Sequence, residues 1–220
     1  MLFDFDETLV NLDDFVDWKK AKQAVIQSYI SSGIPTEIVK KYQSSMMMIS
    51  KLYDYLLRSY PSRISTRIQN HASRALENYE LEAAAKATLM PGAKDILVWS
   101  KRRKLGTGVV SSNSALAIRA AVSRLSIGRY LDEIVGRHFP LKMKPNPDQL
   151  MHCLRNLRCT PRQAIAVGDR TYDVIAAKQV GMFSVAVASG KSSKEELMES
   201  GADRVIGSLY ELQPIVELLF

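Results

Sequence analysis

The chain has 220 residues, 46% hydrophobic and 24% charged, which suits a globular protein with a sizeable core: one large domain, or a domain with an insertion. No apolar run approaches the roughly 20 residues that span a bilayer, and the start lacks a basic segment followed by an apolar one. A membrane partner and secretion are therefore not expected, and a cytoplasmic location is. Thirty basic against 23 acidic residues give a net charge of +7, but only Lys101-Arg102-Arg103-Lys104 is a dense run, and it reads as a solvated helix end. No nucleic-acid partner is expected; a field that draws small anions is.

A short apolar start, Leu2-Phe3, runs into Asp4-Phe5-Asp6-Glu7-Thr8 and then Leu9-Val10. Carboxylates one residue apart point to opposite sides of an extended chain. If the strand ends at Asp4 and the chain curls, both can converge on one cation. The pair alone is either an acidic surface turn or a metal site. Residues 11 to 88 then read as helix almost throughout. Phe15, Trp18, Ala21, Val25 and Tyr29 recur at helical spacing, as do Ile49, Leu52, Tyr53, Leu56 and Leu57. Gly33-Ile34-Pro35-Thr36 breaks the pattern, with Thr36 as N-cap ahead of Glu37, and Tyr60-Pro61-Ser62 breaks it again. Met46-Met47-Met48 suits core filling or a ligand-contacting surface.

From Met90-Pro91-Gly92 onward, helical segments alternate with short β-branched runs: Gly108-Val110, Glu133-Val135, Ala164-Val167, Phe183-Val187 and Arg204-Ile206. Such alternation predicts βαβ units and a parallel sheet covered on both faces. Leu2-Phe3 belongs to the same sheet, so the helical block is an insertion after strand one. Cys153 and Cys159 lack metal or redox spacing and read as reduced thiols.

In open α/β sheets, ligands bind beyond the carboxyl ends of the strands. Strand one ends in Asp4 and Asp6, and the Val109-Val110 strand in Ser111-Ser112-Asn113-Ser114. Lys144-Pro145-Asn146-Pro147-Asp148 follows the Ile134-Val135 strand, and Gly168-Asp169-Arg170-Thr171-Tyr172-Asp173 follows Ile165-Val167. Singly these read as a helix N-cap, a solvated lysine and an ordinary turn. In this order, each after a strand, they resemble the haloacid dehalogenase superfamily of phosphohydrolases. Asp4 to Thr8 is similar to that family's first motif, Ser112 with Asn113 to its second, Lys144 to its third, and Gly168 to Asp173 to its fourth. The likeness continues through Ala176-Met182 and Ser200-Asp203. The helical insertion is similar to the cap of the phosphoglycolate-phosphatase-like branch.

The resemblance implies an α/β, Rossmann-like three-layer core with a mostly parallel sheet, formed by residues 1–10 and 89–220, and a helical cap formed by 11–88. It implies a Mg²⁺-dependent phosphatase acting on a small phosphorylated substrate, phosphoglycolate first among them, as a monomer or homodimer. Asp4 would be the nucleophile, forming an aspartyl-phosphate, and with Asp169 would hold the metal, Asp6 adding its main-chain carbonyl. The Asp6 side chain would protonate the leaving group and then deprotonate water. Ser112 and Asn113 would bind the phosphoryl oxygens, and Lys144 would offset the negative charge. Asp173 would support the metal or its waters, with a helix N-terminal acid as the alternative. Thr8 would bind on the substrate side, or orient Asp6 or the turn. An acid at Asp6 separates phosphate-ester chemistry from the family's dehalogenases.

Glu7 stands where the family often has glycine, and only three residues precede Asp4, so either the first strand is unusually short or the start is truncated. Lys19, Lys20, Lys40, Lys41, Arg63 and Arg67 are candidates for the cap's substrate face. The rival readings are a phosphomutase of the β-phosphoglucomutase kind, a pyrophosphatase or nucleotidase, and a non-catalytic binding protein. Intact Asp4, Asp6, Ser112, Lys144 and Asp169 argue against the last.

Overall fold

A computed structural model describes residues 1–219. Six strands, β1 (Leu2–Phe3), β2 (Gly108–Ser114), β3 (Glu133–Arg137), β4 (Ile165–Gly168), β5 (Phe183–Val187) and β6 (Arg204–Ile206), form one parallel sheet in the order β3-β2-β1-β4-β5-β6. The expected α/β class with a parallel sheet is what the chain adopts. β1 has two residues yet lies at the centre. Leu2 pairs with Gly108 and Ala166, Phe3 with Val109 and Val167, and the Asp4 amide continues the ladder to the Val167 carbonyl at 2.7 Å.

Alternation of side chains sorts the layers. Leu2, Val110 and Ala166 face Leu150, Cys153 and Leu154 of α7 (Asp148–Asn156) and Ala176 and Ala177 of α8 (Thr171–Gln179). Phe3, Val109, Ile165 and Val167 face the other way, onto Ile96 and Leu97 of α5 (Ala93–Arg102) and Ile118 and Val122 of α6 (Ala115–Arg124). α9 (Lys194–Glu199) and α10 (Leu212–Leu219) complete the two helical layers, burying Leu197 and Leu212 respectively. Cys153 and Cys159 are free thiols. Among the described residues no helix is long and apolar enough to cross a membrane.

Between β1 and β2 lie α1 (Trp18–Ser31), α2 (Thr36–Val39), α3 (Ser45–Ser59) and α4 (Ser62–Ala84). Ala21, Val25 and Tyr29 of α1 pack with Met48, Ile49, Leu52 and Leu56 of α3 and Ile68, Ala72 and Leu76 of α4. Inside this apolar contact sits one amide. Gln69 accepts from the Tyr29 hydroxyl at 2.8 Å and donates to the Ile49 carbonyl at 2.5 Å, tying all three helices. The apolar core of these helices is continuous with the Phe3 face of the sheet.

Local readings shift in four places. Phe15 belongs to a short 3₁₀ turn, Asp13–Phe15, and is exposed; Asp17 caps α1 instead, accepting from the Lys20 amide. Thr36 is the first helical residue of α2, with Pro35 in the cap position. Leu57 is exposed, lying off the stripe that Leu52 and Leu56 share. Ser111 to Ser114 lie inside β2 rather than after it, and the N-cap of α6 is Ser114, which accepts from the Ala117 amide.

A two-residue central strand makes each of its side chains expensive to lose. Phe3→Ala should lower the unfolding free energy by about 3–5 kcal/mol, read from the urea midpoint at unchanged slope. Leu218→Ala, on the exposed side of α10, should stay within about 0.5 kcal/mol of the parent.

Candidate active site

The strand order reverses at β1: the chain passes to β2 on one side and, later, to β4 on the other. That switch leaves a crevice at the carboxyl ends of the central strands. Asp4 leaves β1 into it and Asp169 leaves β4, from hydrogen-bonded neighbours. Asp173 enters from the first turn of α8, so carboxylate oxygens of Asp4, Asp169 and Asp173, all buried, lie within 4.8 Å of one another. The two Asp173 oxygens have different neighbours. Oδ2 accepts from the Arg170 amide at 3.0 Å as a helix cap, while Oδ1 faces Lys144.

Lys144 is the cation of the cluster. Its Nζ lies 2.7 Å from Asp4 Oδ1 and 2.5 Å from Asp173 Oδ1, and donates to the Val110 carbonyl at 2.8 Å. Burial alone would lower its pKa; Asp173 and Asp4 outweigh that and raise it, so it stays charged. Burial pushes Asp169 up to about 8, with Asp4 and Asp173 adding to it, and pushes Asp173 up to about 6 despite Lys144. Asp169 Oδ2 and Asp173 Oδ1 are buried without a hydrogen bond, although Arg170 Nε and Lys144 Nζ stand at ion-pair distance. Three crowded carboxylates with two unsatisfied oxygens fit a hard divalent cation with oxygen ligands.

Two glycines make room for this crowding. A Cβ on Gly168 would meet Asp173 Cγ at 2.5 Å, and one on Gly190, in the loop after β5, would meet Asp169 Oδ2 at 1.8 Å. The Gly168-Asp169 pair is thus a close approach rather than an ordinary turn.

Asp6 is half-buried at the cavity wall, and its Oδ1 accepts from the Asp13 amide at 2.8 Å. Burial first, and the Asp13 charge second, raise its pKa well above the usual carboxylate range. Ser112 and Asn113 line the same cavity, with Asn113 Oδ1 held by the Ser111 hydroxyl at 2.9 Å. Thr8 does not line it. Its hydroxyl donates to Asp169 Oδ1 at 3.3 Å, which ties the turn after β1 to the acidic cluster. Glu7 has φ +58, a left-handed conformation that glycine adopts freely, which explains why a glycine suits that position.

The cavity encloses about 640 Å³ between the strand ends and α1 and α3. Of the six expected cap cations, only Lys19 lines it. Lys22 and Lys51 join it from the helices, and Arg170 and Lys191 from the sheet side. Arg63 and Arg67 line a separate groove along α4 that no carboxylate enters, and Lys20, Lys40 and Lys41 line neither. Lys22 was legible as the i+3 neighbour of Lys19. Nothing local marked Lys191. The three methionines divide: Met48 fills the core while Met46 and Met47 face the cavity.

A family model described as haloacid dehalogenase-like hydrolase matches residues 1–187. The chain belongs to the haloacid dehalogenase-like hydrolases. It is similar to the glyceraldehyde 3-phosphate phosphatase of Pyrococcus furiosus, with 26% identity covering 99% of this chain and 92% of the relative. It is also similar to the phosphoglycolate phosphatase of Pseudomonas fluorescens, at 24% identity over 97% of this chain and 78% of the relative. A hydrolase from Pseudomonas syringae superposes with a TM-score of 0.65 at 20% identity, covering 99% of this chain and 97% of that one, which speaks to the fold alone. As a member of this hydrolase family the protein is an enzyme.

The raised carboxyl groups set a pH signature. A carboxyl whose folded pKa lies above its unfolded value stabilises the fold at low pH, and that contribution is lost as pH rises through the folded value. For Asp173 and Asp169 the window runs up through about 6 and about 8. In EDTA, the melting temperature should fall between pH about 5 and about 8, and Mg²⁺ should raise it more at the upper pH, where metal no longer competes with protons. Thermal melts at both pH values, with and without Mg²⁺, check this.

Proposed function

We propose that the protein is a Mg²⁺-dependent phosphatase that hydrolyses phosphate monoesters through an aspartyl-phosphate on Asp4. The observation that carries the reading is the convergence of Asp4, Lys144, Asp169 and Asp173 in one buried cluster, from which Asp4 and Lys144 reach the cavity, with the elevated Asp6 on its wall. A phosphate monoester dianion repels nucleophiles, so its hydrolysis needs cationic compensation and an in-line nucleophile. Asp4, Asp169 and Asp173 would hold the metal, which when bound supplies positive charge to the phosphoryl oxygens.

The Asp4 carboxylate attacks phosphorus as the ester P–O bond breaks. Asp6, whose pKa burial and the Asp13 charge raise well above the usual carboxylate range, delivers a proton to the departing oxygen. A water then attacks phosphorus, Asp6 takes its proton back, and phosphate leaves with Asp4 restored. Lys144 holds one Asp4 oxygen throughout and offsets the charge that accumulates there. Ser112 and Asn113 bind the phosphoryl oxygens from the end of β2.

The cavity above this cluster joins Trp18, Met46 and Met47 with Lys19, Lys22 and Lys51. Such walls suit a small leaving group that carries an anion, of which glycolate is the simplest. Residues 11–88 serve as the cap in this reading.

Phosphate release from a panel of esters should require Mg²⁺ and stop in EDTA. Asp4→Asn should lower kcat by at least about 10³-fold, and Asp6→Asn by about 10²–10⁴-fold; turnover by Asp4→Asn at the parent rate would rule out the covalent route. Isomerisation of a sugar phosphate without phosphate release would instead favour a mutase. Lys51→Ala should raise KM for an ester with an acidic leaving group by about threefold to tenfold, a modest effect because Lys51 is exposed, and leave p-nitrophenyl phosphate little changed.

A further inference from the structure

We propose that Arg137 and Glu80 are positioning residues that fix the phosphoryl-binding segment Ser112–Ser114 and lock it to α4. The proposal rests on the reading of Ser112 and Asn113 as phosphoryl-binding. Arg137 ends β3 and Glu80 lies in the last two turns of α4; in the ion pair both side chains are wholly buried. The guanidinium grips both carboxylate oxygens at 2.8 Å. Its remaining donors are also engaged. Nη1 reaches the Ser112 carbonyl at 2.8 Å, Nε the Ser73 hydroxyl at 2.8 Å, and Nη2 the Ser73 carbonyl at 3.3 Å.

Glu80 completes the hold from the other side. Its Oε2 accepts from the Ser114 amide at 3.1 Å and its Oε1 from Asn113 Nδ2 at 3.4 Å. Residues 112, 113 and 114 are therefore each tied to one ion pair. The sheet leaves this job open. β2 pairs with β3 in register at Gly108 to Val110 and again at Ser114 with Arg137, and the register shifts in between. Over that gap the regular ladder does not set the backbone: Gln149 Nε2 bridges the Ser111 and Gly136 carbonyls at 2.9 and 3.0 Å, and Arg137 and Glu80 hold residues 112 to 114.

Stability is a poor reason to keep such a pair. Desolvating two charges costs about what their attraction returns, and apolar residues of like volume often serve as well or better. What an apolar pair does not supply is direction: a planar fork and a carboxylate that aim at particular backbone groups. Arg137 also lies 3.7 Å from the sulfur of Met46 on the cavity wall. The same pair thus relates the place where phosphate binds to the helices that meet the leaving group.

The test compares the full-length protein with the double variant R137M/E80L and with R137K. The double variant removes both buried charges at once and leaves neither stranded; R137K keeps the charge without the fork. Thermal melting reports the fold, kcat and KM report turnover of the best ester in the panel, and calorimetric titration with inorganic phosphate reports the segment without turnover. The expected result is a double variant that melts near the parent temperature, loses about 100-fold in kcat/KM, as a misplacement near 1 Å would cause, and binds phosphate more weakly. R137K should fall between the two. Either variant, folded and within about twofold of the parent in both kcat/KM and phosphate affinity, would overturn the proposal. A parent protein that releases no phosphate from any ester would count against the phosphatase reading instead, and the phosphate titration would still decide the role of Arg137 and Glu80.

Discussion

Crowding of like charge around a single ammonium governs this molecule. Asp4, Asp169 and Asp173 are brought within a few ångströms in a buried place, and Lys144 is the cation that touches two of them. An arrangement of this kind is unfavourable in isolation, as the elevated Asp169 and Asp173 show. It persists because the surrounding fold over-determines it. Asp4 is fixed by a central strand paired on both sides, Asp173 by its capping bond to the Arg170 amide, and Lys144 by the Val110 carbonyl. Strain of this sort, concentrated where chemistry takes place, is the usual pattern of a functional site.

The sheet order decides where that charge collects. Acids from β1 and β4 meet because those strands are hydrogen-bonded neighbours, although 165 positions separate Asp4 from Asp169 in the chain. Adjacent strands leave little space between their ends, so the loops that continue them must be thin. Gly168 and Gly190 supply that thinness where any Cβ would strike a carboxylate. The Thr8 hydroxyl takes one of the Asp169 oxygens, and the other, beside Gly190 and at ion-pair distance from Arg170 Nε, has no hydrogen bond.

Much of this was legible in the residues because period and position carry it. Alternating helices and β-branched runs fixed a parallel α/β sheet, and polar residues after each run marked the crevice. The inserted helices were equally visible, since Ala21, Val25 and Tyr29 share one face. What stayed hidden depends on distances that a sequence does not express. Arg137 reads as one more basic residue at a strand end, and Glu80 as one more acid on a long helix; only the packing of α4 against β2 and β3 shows that they are partners. Lys51 and Lys191 look like solvated lysines, and the orientation of α3 and of the loop after β5 is what turns them to the cavity. Thr8 was visible as a polar neighbour of Asp6, yet the curl of the chain, with Glu7 left-handed, aims it at Asp169.

The two halves of the site answer to different physical demands. At the floor, groups are buried, charges are strongly coupled, and a small displacement alters every pKa; rigidity is required, and the sheet provides it. At the wall, Lys22, Lys51, Met46 and Met47 sit on helices, exposed or partly so, where a substitution costs little stability. Reaction type and substrate choice are therefore separable in this architecture. Arg137 and Glu80 lie at the boundary between the two, buried like the floor yet reaching to the helices of the wall. A helix that selects a leaving group is of use only if its distance from the phosphoryl group is fixed. A buried, bidentate ion pair sets such a distance more sharply than apolar packing, which tolerates sliding.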